Sequence, residues 1–285
     1  FLFFFWWTTE YGNFPLNKIV QEIKATKAIE KRDDGRHKMK SQILKKIWVY
    51  ADEGVSYSTL IGTTHLLQKL RPGSTVKLIN SDFLKQQSMI NADLFVIPGG
   101  RDLPYCAKLN GSNNTKIKDF VRNGGSYLGI CAGAYYGTSF IEYDVGSDYE
   151  VTGERELAMT VGKCIGPLIK HTYTDMSGFL GLEIDYLPLK LTAHIPYIGG
   201  GYFTNLGEDD TILASTKHEE QSLPIIIQSR VEAGKAILSG VHFEMDTDIL
   251  DVEDEFVAGH LSNLEESRQK RLEIANDILK QLGVQ

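Results

Sequence analysis

Cysteine is scarce in this 285-residue sequence: Cys106, Cys131 and Cys164 are the whole complement, and no two of them form a C-x-x-C pair. Three scattered thiols exclude a disulfide framework, and without C-x-x-C spacing a structural zinc site is not expected. A reducing, cytoplasmic compartment is the simpler reading, and no metal or cofactor is assigned. Basic charge is also in the minority. Lys and Arg total 30 against 37 Asp and Glu, a formal charge of -7 that argues against a general nucleic-acid surface. The apolar run at residues 1–7 (FLFFFWW) is too short to cross a bilayer, which takes about 20 residues. The acidic stretch at residues 248–255 lacks EF-hand spacing and is read as solvated surface. No internal repeat is present.

What is there is close to ordinary globular composition, 42% apolar and 24% charged. Residues 1–7 are expected to be the stub of a membrane or signal segment, the end of a mis-called reading frame, or a buried strand. The polar, basic residues 18–46 are expected to be a solvated linker or helix. If the stub ended a span, that basic flank would place the rest of the chain on the cytoplasmic side, tethered through its N-terminus. Residues 1–45 are therefore set apart from a folded unit over residues 46–285.

Within that unit, residues 47–51 (IWVYA), 75–79 (TVKLI), 94–97 (LFVI) and 127–130 (YLGI) read as strands. Helices are predicted between them over residues 57–70, where Leu60, Thr63, Leu67 and Leu70 share a face, and over residues 114–121. Pro72-Gly73 and Asn123-Gly124-Gly125 supply the stops. Strands alternating with helices imply parallel βαβ units. The second half is richer in strands, expected at residues 159–165, 189–194, 211–215, 225–228 and 235–239. A last helix is expected over residues 268–282, stopped by Gly283.

The chemistry centres on Gly129-Ile130-Cys131-Ala132-Gly133, where a buried strand meets a helix. This is the G-x-nucleophile-x-G pattern of a nucleophile elbow. A nucleophile on so tight a turn needs neighbours without a Cβ, and the helix N-terminus behind Cys131 favours a thiolate. The bland reading is a buried cysteine beside packing glycines. A thiolate nucleophile needs a base, and the base needs an orienting group. His242-Phe243-Glu244 comes after a predicted strand and Gly240, and an i, i+2 pair in extended backbone puts both side chains on one face. The alternative is a loop histidine with a solvated glutamate. Tyr135 and Tyr136, behind the elbow, are read as packing.

GICAG followed about a hundred residues later by SGVHFE resembles the class I glutamine amidotransferase-like superfamily, which carries G-x-C-x-G and a His-Pro-Glu triplet. Phe243 stands where that proline is usual. The resemblance implies a flavodoxin-like three-layer α/β sandwich with a mostly parallel sheet. It implies Cys131, His242 and Glu244 as catalytic residues. It also implies an oxyanion hole from the Gly99 or Gly100 N–H together with that of Ala132. Within the superfamily, VYADEGVSYS, VIPGGRDLPY, GGSYLGICAGAYYG and the run Tyr197-x-Gly199-Gly200-Gly201-x-Phe203 are most similar to the biotin–protein ligase N-terminal domain family.

That family implies a biotin ligase domain or another synthase as partner, and an amide or carboxylate small molecule as ligand. The chain itself carries no Gly-Arg-Gly-Arg loop of a biotinyl-AMP-forming ligase. Tyr197, Gly199, Gly200 and Gly201 are expected at the ligand rim, and Arg101 as a reader of a ligand carboxylate. Three functions stay open: Cys-dependent amide hydrolysis or acyl transfer, a non-catalytic regulatory or ligand-binding module, and a stand-alone amidase or peptidase-like hydrolase.

Overall fold

The computed structural model describes residues 45–171 and 175–285. The apolar run at residues 1–7 and most of the basic segment before residue 45 lie outside the described residues.

Four short runs form the parallel strands of the first half, three of them buried almost throughout and the second, at the sheet edge, buried only at Ile79. They are β1 (Lys46–Tyr50), β2 (Thr75–Ile79), β3 (Leu94–Ile97) and β4 (Ser126–Ile130). Between them lie α1 (Tyr57–Leu70), α2 (Ser81–Gln86), α3 (Asp102–Leu109) and α4 (Ser112–Arg122). Helix α1 turns Leu60, Thr63 and Leu67 into the core. Helix α4 ends at the predicted glycines: Gly124 takes φ +103°, and the Gly124 and Gly125 N–H groups donate to Val121 O and Phe120 O. This closure satisfies carbonyls that the helix end would leave bare. After β4 comes the short α5 (Ala132–Gly137).

The chain then builds β5 (Phe140–Tyr143), β6 (Val151–Glu154), β7 (Lys163–Gly166), β8 (Leu180–Tyr186), β9 (Leu191–Tyr197) and β10 (Tyr202–Thr204). Next come β11 (Asp210–His218), β12 (Gln221–Val231) and β13 (Gly234–Ser239), then α6 (Glu255–Ala258), α7 (Leu261–Glu266) and α8 (Arg268–Gln281). Helix α8 closes as α4 does, with Gly283 at φ +77° and bonds from Gly283 and Val284 back to Lys280 and Leu279.

The main sheet has nine strands in the order β2-β1-β3-β4-β13-β12-β11-β8-β9. From β2 to β13 every pairing is parallel; from β13 to β9 every pairing is antiparallel. The sheet is thus mixed, where a mostly parallel one was expected. The reason is local: β11 and β12 are joined through Glu219-Glu220, and β12 and β13 through Glu232-Ala233, and connections that short allow only antiparallel neighbours. A second sheet, β10-β7-β5-β6, takes up the segment after α5. The expected strand over residues 159–165 forms only from Lys163. One large apolar cluster unites β1, β3, β4, β12, β13 and the inner faces of α1, α4 and α8. A smaller one gathers Phe179, Ile198, Val257 and Leu264.

Candidate functional site

Three neighbouring parallel strands, β3, β4 and β13, deliver three groups of residues to the same end of the sheet. Register sets this arrangement, since Ile97 pairs with Gly129 and Ile130 with Ser239. Gly99 and Gly100 come after β3, Cys131 after β4, and His242 after β13. Carboxyl ends of parallel strands are where open α/β sheets place their sites.

Cys131 sits at φ 50°, ψ -107°, a conformation strained for any residue with a Cβ. The turn is pinned at both ends. The Cys131 N–H donates to Ser239 O at 2.8 Å, and the Cys131 carbonyl accepts from the Ala134 and Tyr135 N–H groups at 2.9 Å each. The flanking glycines are required by close backbone approach. A Cβ on Gly133 would lie 2.0 Å from Ile97 O, and one on Gly129 would lie 2.3 Å from Gly133 O. Ala132 is buried and opens α5.

His242 and Glu244 meet through Nδ1–H donating to Oε1 at 2.8 Å, and both are buried. Their contact arises differently from the expected extended pair. The Met245 N–H donates to His242 O at 3.1 Å, so His242-Phe243-Glu244-Met245 is a turn that folds the carboxylate back beneath the ring. Phe243 is a core side chain, 1% exposed. The His242 backbone is held by its N–H to Pro196 O at 2.8 Å.

The ring nitrogen facing away from Glu244, Nε2, has no partner at hydrogen-bond geometry, nor does Glu244 Oε2. Cys131 is nonetheless near enough to act on the ring. Burial opposes the imidazolium charge, but Glu244 and then Cys131 outweigh it, and the His242 pKa is pushed up to about 10. Gly99 completes the convergence. A Cβ there would come within 2.9 Å of His242 Cε1 and 3.4 Å of Cys131 Cβ. The Cys106 thiol, away from this site, has its pKa raised, chiefly by burial.

The other expected residues fall into two groups. Ile198 covers the thiol, with Cys131 Sγ–H donating to Ile198 O at 3.7 Å, and the glycines after it pack against other neighbours. Gly199 O accepts from Tyr135 Oη at 3.2 Å, and a Cβ on Gly200 would meet Gly240 O at 1.9 Å. Gly201 is packed as tightly, since a Cβ there would lie 2.4 Å from Cys164 Sγ. Tyr197 is fully buried, its hydroxyl accepting from the Leu168 N–H and donating to Gly200 O. Arg101 is exposed at the start of α3. Its neighbour Asp102 is partly buried and pairs with the buried Arg155 at 2.6 Å. Nothing in the sequence around Arg155 marks it for that role, because its partner lies 53 residues away.

Among the described residues no cluster of His, Cys, Asp and Glu could hold a metal ion. No helix among them is long and apolar enough to cross a membrane.

Fold and geometry define a mixed α/β domain with a cysteine on a strained strand-to-helix elbow beside a buried His–Glu pair. The chain belongs to the family described as "Biotin-protein ligase, N terminal", which matches residues 45–285. It is 30% identical over 251 residues to the biotin–protein ligase of Schizosaccharomyces pombe, covering 84% of this chain but only 38% of that protein. An uncharacterized protein of Chlamydia muridarum is also 30% identical, over 241 residues, with 79% of this chain and 93% of that one covered. Solved structures are more distant. A ThuA-like protein from Bacteroides uniformis aligns at TM-score 0.42 and 10% identity, covering 83% of this chain and 95% of its own. A catalytic mutant of Gan42B, a GH42 β-galactosidase from G. stearothermophilus, aligns at TM-score 0.49 and 10% identity, covering 94% of this chain and 33% of its own. Neither likeness is strong enough to bear on function.

Proposed function

We propose that this domain carries out Cys-dependent acyl transfer to water on a carboxamide, in the manner of a glutaminase or amidase, on a flavodoxin-like parallel half-sheet. The observation that carries the reading is the convergence of Cys131, His242 and Gly99 at the ends of β3, β4 and β13. The order β2-β1-β3-β4-β13 of the parallel half matches the flavodoxin-like 2-1-3-4-5 pattern.

In this scheme Cys131 attacks the amide carbon as the thiolate, forming a C–S bond while the carbonyl π electrons move onto oxygen. His242, with its pKa near 10, holds a proton at neutral pH and hands it to the departing nitrogen as the tetrahedral intermediate collapses to a thioester. The neutral imidazole then takes a proton from the water that attacks the thioester, and the carboxylic acid and thiolate separate. Glu244 steadies the imidazolium through Nδ1. A biotin ligase domain, on the same chain or separate, is the partner class that family membership suggests.

A second reading, a non-catalytic ligand-binding or regulatory module, draws on the near-complete burial of the trio, with Cys131 only 8% exposed.

Iodoacetamide labelling from about pH 5 to 9, with the modified cysteine mapped by mass spectrometry, separates the two. The acyl-transfer reading expects Cys131 to react well ahead of Cys106. It also expects turnover of glutamine or another simple carboxamide, lost in Cys131→Ala and reduced by about 10²–10⁴ in His242→Ala. Labelling of Cys131 no faster than Cys106 across that range would overturn it. Fast labelling without any amide turnover would leave the binding module.

A further inference from the structure

The carbonyl of Gly99 is unusually well held. It accepts from the Thr59 hydroxyl at 2.8 Å, the Ser56 N–H at 3.0 Å and the Tyr105 hydroxyl at 3.2 Å. Thr59 and Tyr105 are buried, at 1% and 0% exposure, so neither hydroxyl exchanges partners with bulk water. The Thr59 hydroxyl also reaches Ser56 O at 3.0 Å, at the start of its own helix, and the Tyr105 hydroxyl reaches Pro98 O at 3.2 Å, one residue before Gly99. An acceptor fixed from three directions fixes its peptide plane. Because a trans peptide sets its N–H opposite its C=O, the Gly100 N–H must point away from Thr59 and Tyr105.

That N–H takes no part in the neighbouring β-bridge. Val55 and Gly100 face each other there, but the bridge is made by Ser56 N–H to Gly99 O and Arg101 N–H to Gly54 O. Gly100 has φ +149°, and a Cβ on it would lie 2.0 Å from Gly54 O. A glycine is therefore needed to hold this peptide orientation against the loop after β1. At Gly99 the same segment meets His242 Cε1 and Cys131 Cβ, with Thr59 Cγ2 packed beside them at 2.9 Å from a Cβ built there.

We propose that Thr59 and Tyr105 are positioning residues that lock the Gly99–Gly100 peptide, making the Gly100 N–H, rather than that of Gly99, the partner of the Ala132 N–H in stabilising an oxyanion formed on Cys131. The assignment rests on the acyl-transfer reading, and deepens it by naming which glycine donates and what orients it. A preorganised donor costs no reorientation as charge develops, which is why groups behind it matter although they never touch substrate.

The test uses the full chain and butyraldehyde, which has no recognition group beyond its carbonyl. Attack by the Cys131 thiolate forms a C–S bond. The carbonyl electron pair becomes an alkoxide, held by the oxyanion donors or protonated by His242 to a hemithioacetal. The readout is the butyraldehyde concentration that halves the rate of iodoacetamide labelling at Cys131. Iodoacetamide reacts by displacement at a saturated carbon, so its own rate reports the thiol and not the hole. Thr59→Val and Tyr105→Phe each remove one hydroxyl and keep the shape. Each should raise the protecting concentration by about five- to tenfold, in line with the usual worth of one hydrogen bond, with the bare labelling rate unchanged. Thr59→Ser restores the donor and should protect like the wild type.

A shift of less than about twofold in both variants would overturn the proposal. So would a wild type that butyraldehyde does not protect at all. Equal losses of bare labelling and of protection would show that the substitutions disturb the thiol itself, which also counts against an orienting role. Failure of the acyl-transfer reading shows up separately, as slow labelling of Cys131 before any aldehyde is added.

Discussion

Replacing Cys131 by glycine should leave a more stable protein than replacing it by alanine. Both substitutions delete the sulfur and its contact with Ile198 O, so that loss cancels in the comparison. The two variants differ in one methyl group and in what φ 50°, ψ -107° costs. These angles lie outside even the small left-handed well, where ψ is about +30 to +60°. A residue with a Cβ is held in such a region at ~1–3 kcal/mol. Alanine keeps that cost and glycine removes it.

Two effects oppose the gain. Burying the alanine methyl contributes about 0.8 kcal/mol, and the freer glycine backbone loses roughly 0.5–1 kcal/mol more on folding. With strain near the upper end of its range, as this ψ implies, glycine stays ahead by about 1 kcal/mol. For a domain of this size that is a rise of about 2–4 °C in Tm, measured on the two variants side by side by circular dichroism. If alanine matches or exceeds glycine, the surroundings accept a Cβ at residue 131 without cost, and the strained-elbow account is wrong.

The same site yields two further expected outcomes. Gly200→Ala would set a Cβ 1.9 Å from Gly240 O, so the segment that carries Ile198 and its contact to the thiol must shift. The expected results are a loss of about 1–3 kcal/mol in urea denaturation and faster iodoacetamide labelling of Cys131. Unchanged labelling alongside the stability loss would show that this segment does not cover the thiol. His242 governs alkaline stability. Its folded pKa near 10 lies above the ordinary 6.5, so its contribution is complete below pH 6.5 and is lost as pH rises through about 10. The wild-type Tm should therefore fall across that window more steeply than that of His242→Gln. Parallel curves would mean that His242 is neutral in the folded protein.

Much of this arrangement could be read in the sequence, and the reasons are physical. Residues 94–97 announce a strand because a parallel sheet covered by helices demands unbroken apolar runs, whereas residues 75–79 alternate as an edge strand does. Helix α1 was legible from the spacing of Leu60, Thr63 and Leu67, and the end of α8 from Gly283, since each reflects a local rule. The elbow was legible because only glycine fits at residues 129 and 133.

What stayed hidden depends on contacts distant in sequence. The antiparallel β8-β9 and β11-β8 pairings give no local sign of joining the parallel half of the sheet. The second sheet is built from three- and four-residue strands, too short for alternation to register. The turn at His242 has no Pro or Gly to mark it; a buried Phe243 and one backbone bond create it. The pairing of Arg155 with Asp102, and the hydroxyls of Thr59 and Tyr105 behind Gly99, are likewise products of the assembled fold.

Several costly features of this molecule meet in one place. A strained Cys131, a buried His–Glu pair with unpartnered Nε2 and Oε2, and glycines pressed against opposing backbone all lie at the ends of β3, β4 and β13. A core built for stability alone would place neither a strained cysteine nor a buried ion pair there, because apolar residues of similar volume would serve as well or better. Every residue in the proposed step, from Thr59 to Glu244, lies inside the family match at residues 45–285. That family includes one relative of which the aligned unit is 38% and another of which it is 93%. A site assembled wholly within the shared unit does not need the rest of the larger protein to form. The acyl-transfer reading accordingly expects Cys131 reactivity in this chain alone, with a ligase partner altering what reaches the thiol rather than completing the machinery around it.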